Sequence, residues 1–66
     1  MKIEMYATWK NRPDQNQVWF TDGTDAEMTA IELADAIGSD IFELVMEESN
    51  QSGTDTLYTY RRIQPT

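Results

Sequence analysis

Thr24-Asp25-Ala26-Glu27-Met28-Thr29-Ala30-Ile31-Glu32-Leu33-Ala34-Asp35-Ala36-Ile37-Gly38 is the stretch whose reading decides the fold. Thr24-Asp25-Ala26-Glu27 has the spacing of a capping box, in which the Thr24 hydroxyl accepts from the Glu27 amide and the Glu27 carboxylate reaches back to the Thr24 amide. Gly38 stands where a helix needs a left-handed residue to end it. At 100° per residue, Ala26, Ala30, Leu33, Ala34 and Ile37 share one face, with Ile31 on its flank. Glu27, Met28, Glu32 and Asp35 lie opposite. The expectation is one amphipathic helix from Thr24 to Gly38 that buries an apolar stripe on a sheet and shows acid to water.

Outward from this stretch the chain reads as strands. Ile3, Met5, Ala7 and Trp9 alternate with Lys2, Glu4, Tyr6, Thr8 and Lys10, the pattern of a half-buried strand. Asn11 to Asn16 is dense in turn formers and reads as a hairpin loop, and Gln17 to Thr21 as the returning strand. After Gly38, Asp40 to Glu48 reads as a third strand. A helix capped by Ser39, with Ile41, Leu44 and Val45 on one face, remains open there. Asn50 to Asp55 is a polar loop, and Thr56 to Ile63, rich in Thr, Tyr and Ile, is the hairpin partner. Pro65 ends the pairing, so 64–66 is expected to fray. The predicted fold is therefore α+β, β-β-α-β-β, with one helix on a four-stranded, mainly antiparallel sheet in a single domain of 66 residues.

A chain this short buries only about 60% of the surface its unfolded form exposes, so its stability is expected to be marginal. There is no cysteine and no histidine, which removes disulfides, thiolate ligation and the usual near-neutral acid/base. No apolar run approaches the roughly 20 residues of a membrane helix. Met1-Lys2-Ile3-Glu4 lacks a signal-peptide core, so a cytoplasmic location is expected, that of a host cell if the chain is phage-encoded. Asp22-Gly23-Thr24-Asp25 superficially suggests a calcium loop, but the fifth position is Ala26 and the twelfth Leu33, so the pattern fails. Nothing selects a catalytic carboxylate pair. No metal, no cofactor and no enzymatic activity are expected.

The charge is more informative. The net charge is −7, from 12 acids and 5 bases. The bases, Lys2, Lys10, Arg12, Arg61 and Arg62, all lie near the ends, and between Pro13 and Tyr60 there are 11 acids and no base. An ordinary surface mixes signs. Such an imbalance opposes direct binding of nucleic acid, whose phosphates need cations, and fits a protein that presents carboxylates in place of phosphates to a basic groove. The candidate partner-binding acids are Asp22, Asp25, Glu27, Glu32, Asp35, Glu43, Glu47 and Glu48. Among the aromatics, Trp9, Phe20 and Phe42 read as core. Tyr6, Trp19, Tyr58 and Tyr60 read as a platform on the uncovered sheet face, with Trp19, Tyr58 and Tyr60 as partner-binding anchors.

In size, acidity, lack of cysteine and compact α+β pattern, the chain resembles the small proteins that phages and mobile elements make to disable host machinery. These include anti-restriction, anti-CRISPR and polymerase-inhibitor proteins. The resemblance is one of class and carries over no functional residue. It implies an inhibitor that occupies the basic groove of a nucleic-acid-handling host protein. The alternative is a structural or assembly module that homodimerises through the Tyr/Trp face and carries its acid for solubility.

Overall fold

The computed structural model describes residues 2–63. The order of elements is β1 (Ile3–Trp9), β2 (Arg12–Phe20), β3 (Asp25–Met28), α1 (Ala30–Ile37), β4 (Phe42–Ser49) and β5 (Thr56–Arg62). They form one five-stranded sheet in the order β3-β2-β1-β5-β4, antiparallel at every neighbouring pair. The α+β class is as expected. The strand count is not, because the expected helix is divided between a strand and a shorter helix.

The division has a local cause. The Asp22 carboxylate, not Glu27, takes the Thr24 groups: Asp22 Oδ1 accepts from the Thr24 amide at 3.0 Å and its hydroxyl at 2.6 Å. This side-chain turn, with Gly23 at φ +91°, returns the chain onto β2, where the Phe20 amide donates to the Thr24 carbonyl at 2.8 Å. Asp25 to Met28 then pairs with Asn16 to Trp19. The helix starts at a second box of the same spacing, Thr29-Ala30-Ile31-Glu32, where Thr29 Oγ1 accepts from the Glu32 amide at 3.2 Å. The Ala30 amide also donates to Asp14 Oδ1 on β2 at 3.4 Å. Gly38 ends the helix at φ +53°, its amide donating to the Ala34 carbonyl at 3.1 Å.

Asp40 to Glu48 is strand rather than helix over its greater part, as β4. The first hairpin differs from expectation. Its turn is Lys10–Asn11, and Arg12 to Asn16, read as loop, belongs to β2. The register there jumps from Ala7↔Gln17 to Trp9↔Arg12, so this end of β2 bows out. Asn16, only 2% exposed, ties the bow down by donating to the Pro13 carbonyl at 2.9 Å and the Met28 carbonyl at 3.2 Å. The reading of 64–66 as a frayed end lies outside the described residues.

Helix α1 lies over β2 and β3. Leu33 is its buried residue and meets Ile3 and Val18, with Tyr6, Phe20, Ala26, Met28, Ile37 and Phe42 packed around them. A helix of 8 residues is unstable alone and holds only through such packing. Leu33→Ala should remove about 2–5 kcal/mol. A chain this size has a total stability of about 3–10 kcal/mol, so urea unfolding monitored by Trp fluorescence should show the variant's midpoint lowered by a large fraction of the parent value. Thr29→Ala should cost about 1 kcal/mol in the same assay.

Candidate functional site

Two bulges decide which side chains share a surface. On β1 the register passes from Ile3↔Phe20 to Met5↔Trp19, leaving Glu4 as an extra residue. On β4 it passes from Leu44↔Tyr60 to Met46↔Thr59, leaving Val45 extra. Each bulge inverts the alternation that follows it. Tyr6 therefore joins Ile3 on the helix side, and Met5, Ala7 and Trp9 turn to the helix-free side. The core reading of Phe20 and Phe42 stands, but Trp9 is not in the core cluster.

The register then gives rows of side chains across the sheet. On the helix-free face one row runs Asp25, Trp19, Met5, Arg61, Glu43, and the next Glu27, Gln17, Ala7, Thr59, Met46. Trp9, Leu57 and Glu48 form the third. The middle of this face is thus largely apolar, and acids rim it on both edge strands. On the helix side, Val18, Tyr6, Tyr60 and Leu44 form one row and Thr8, Tyr58 and Glu47 another. The expected platform of Tyr6, Trp19, Tyr58 and Tyr60 is consequently split: Trp19 faces one way and the three tyrosines the other. Tyr6 and Tyr60 stack with ring centroids 5.0 Å apart, and Phe42 meets Tyr6 edge-on at 5.0 Å. Burial, then the neighbouring Tyr60, raises the pKa of Tyr6, so its hydroxyl stays protonated at neutral pH. Beside this stack α1 leaves a cleft of about 420 Å³ lined by Tyr6, Thr8, Asn16, Leu33, Ala34 and Tyr60, with no carboxylate in its wall.

The eight candidate acids do not form one cluster. Asp22 shapes the turn before β3, and the Thr24 hydroxyl and amide hold its carboxyl below the usual range. Asp25 and Glu27 occupy the β3 edge, where Asp25 accepts from Gln17 Nε2 at 3.2 Å. Glu32 and Asp35 are exposed on α1. Glu43, Glu47 and Glu48 occupy the β4 edge, four strand spacings or about 19 Å from β3. Apart from Asp22 and Asp25, none of these side chains bonds or ion-pairs with another described residue; Glu32 offers only its capped amide. Among the described residues no group of acids is arranged to hold a metal ion. No helix among them is long and apolar enough to cross a membrane.

Two of the five basic residues, Arg12 and Arg62, are engaged elsewhere. Arg12 Nε lies 2.9 Å from Asp55 Oδ2, and the guanidinium sits 4.1 Å from the Trp9 ring centre. Arg62 Nη1 lies 2.7 Å from Asp40 Oδ2, while its Nε donates to the Ile3 carbonyl at 2.7 Å. β5 is an interior strand, so Arg61 and Arg62 do not guard an edge; they point to opposite faces, as alternation requires.

Sequence reasoning passed over the apolar side chains between the β4 acids. Ile41, Leu44, Val45, Met46 and Ile63 are all exposed on or beside this strand; among the described residues the sixth large exposed hydrophobic is Ile31 on α1. The signal is present in Ile41-Phe42-Glu43-Leu44-Val45-Met46, where apolar residues occupy both parities of the strand. The β3 edge carries no such group, since Ala26 and Met28 tuck against the core. No family model matches the chain, and comparison with curated proteins and with solved structures finds no match.

Asp55 is the buried carboxylate, 7% exposed. Burial pushes its pKa up, but the Asn11 amide, Arg12 and the Thr56 amide outweigh it and hold the carboxyl below its usual value. A carboxylate with a depressed folded pKa stabilises above its unfolded pKa of about 3.9 and loses that contribution as pH falls through the folded value. Asp55→Asn should therefore lower the melting temperature at pH 7 and flatten its decline below about pH 4. Circular dichroism melts across pH check this; parallel curves for the two proteins would contradict it.

Proposed function

We propose that this chain is a non-enzymatic protein-binding module, an inhibitor of the phage or mobile-element kind that occupies the basic groove of a nucleic-acid-handling host protein. The observation that supports this reading is the acidic rim. Asp25 and Glu27 on one edge and Glu43 and Glu48 on the other flank the Trp19–Met5–Trp9–Leu57 face, Glu47 stands on the opposite side of the same edge, and none forms an ion pair among the described residues. Carboxylates carried on a sheet are held at fixed intervals, so a basic groove meets an ordered array and not a flexible acidic tail. The half-buried Trp19 and Trp9 supply area that can be desolvated between the charges. Charge complementarity of this kind acts mainly on association rate and choice of partner.

A second copy of the chain is the rival occupant, favoured by the apolar side chains of β4. It is opposed by charge, because each of the surfaces that would meet carries the same acids. The module is tested by immobilising it, passing a bacterial lysate over it, and eluting with a salt gradient. The expected result is a basic nucleic-acid enzyme or effector complex released at moderate salt. Its association with the variant carrying Glu43→Lys, Glu47→Lys and Glu48→Lys should be slower by about tenfold or more at low salt. Salt-independent capture, or equal capture by the reversed variant, would count against the reading. Concentration-dependent sedimentation with no captured protein would favour the dimer.

A further inference from the structure

We infer that the free edge of β4 is a docking site for an extended basic segment, which joins the sheet as a sixth strand. This rests on the reading above and names where the basic partner engages. Three observations converge on the edge. β4 is the last strand on its side of the sheet, 8 residues long, and has no neighbour beyond it among the described residues. Second, the hydrogen-bond phase of the strand is fixed. The Ile63 amide donates to the Ile41 carbonyl at 2.9 Å and the Asn50 amide to the Asp55 carbonyl at 3.1 Å, so both pairs are of the hydrogen-bonded type. Alternation from each end leaves Phe42, Leu44, Glu47 and Ser49 with their peptide N–H and C=O groups turned outward. Third, the side chains that would flank an added strand are of two kinds. Leu44, Val45 and Met46 are 46%, 48% and 49% exposed, and Glu43, Glu47 and Glu48 stand among them without ion pairs to described residues.

Long apolar edges are ordinarily blunted, because unpaired peptide groups beside exposed Leu, Val and Met recruit other strands. The other edge of the sheet is blunted: β3 has 4 residues, and Asp25 and Glu27 are its exposed side chains. On β4 the acids act differently. A second β4 laid against the first sets Glu43, Glu47 and Glu48 near their own copies, and like charges across a strand pair are destabilising. A strand that alternates Lys or Arg with apolar residues, its cations on the helix-free side, places them near Glu43 and Glu48 and its apolar groups beside Leu44. The edge thus refuses itself and selects a basic, half-apolar strand, with main-chain bonds giving affinity and side chains giving choice.

The test uses the full chain, labelled with nitrogen-15, and three synthetic peptides of about eight residues, the length of a typical strand. One alternates lysine and valine, one alternates glutamate and valine, and the third is the lysine–valine peptide N-methylated at alternate amides so that one edge cannot pair. The lysine–valine peptide should bind with strong salt dependence and slow hydrogen exchange at the amides of Phe42, Leu44, Glu47 and Ser49. The glutamate–valine peptide should not bind, and N-methylation should weaken affinity by about tenfold or more. Equal binding of the methylated peptide, or protection elsewhere than β4, would overturn edge pairing while leaving the basic-partner reading in place. Failure of every basic peptide and of the lysate capture would overturn both. Protection of β4 that grows with protein concentration alone would overturn the inference in favour of self-pairing.

Discussion

The contact of Leu33 with Ile3 and Val18 is what the rest of the structure depends on. A helix of 8 residues can cover about two strands, and this one is set over β2 and β3. That leaves the β5–β4 half of the same face, and all of the opposite face, to be finished by the sheet's own side chains. Tyr6, Tyr60 and Phe42 do so on the helix side by stacking on one another. On the other side the middle strands carry Trp9, Trp19, Met5 and Leu57, half-buried among their neighbours. The limited reach of the helix is therefore the reason so much apolar and aromatic surface is available to a partner.

The same economy shows in the charges. The two ion pairs among the described residues sit at strand ends, Arg12 with Asp55 beside the β4–β5 turn and Arg62 with Asp40 before β4. Each fixes a connection, and each sets a base against an acid outside the edge strands. What remains on the edges is nearly all negative. The negative character of the edges is thus sharpened by the use of Arg12 and Arg62 at connections.

The class of fold was legible in the sequence because it rests on long-range habits of pattern: alternation in β1 and β5, a 3.6-residue period around Leu33, and a glycine at the helix end. The stretch that set the helix start was misread because it holds two boxes of the same spacing, at Thr24 and Thr29. Asp22 settled the matter by capturing Thr24 in a turn, a competition that spacing alone does not resolve. The excess of acids was legible in the sequence but their arrangement was not, since their division between two edges depends on strand order. The aromatic platform failed for a narrower reason. A single extra residue, Glu4, inverts the faces of everything after it in β1, and no rule of composition marks that residue.

The position of β5 has a consequence for how the molecule is made. Among the described residues β4 is hydrogen-bonded to the sheet only through β5, and β5 is held by pairing with β1, for example Tyr6 with Tyr60 and Ala7 with Thr59. The β4–β5 hairpin is a local contact and can form early, whereas its attachment to β1 closes most of the chain and carries the loop entropy of doing so. Until that closure, the hairpin has two open edges in place of one. The rate of folding and the tendency to misassociate are then governed by one step, the meeting of the first strand with the last.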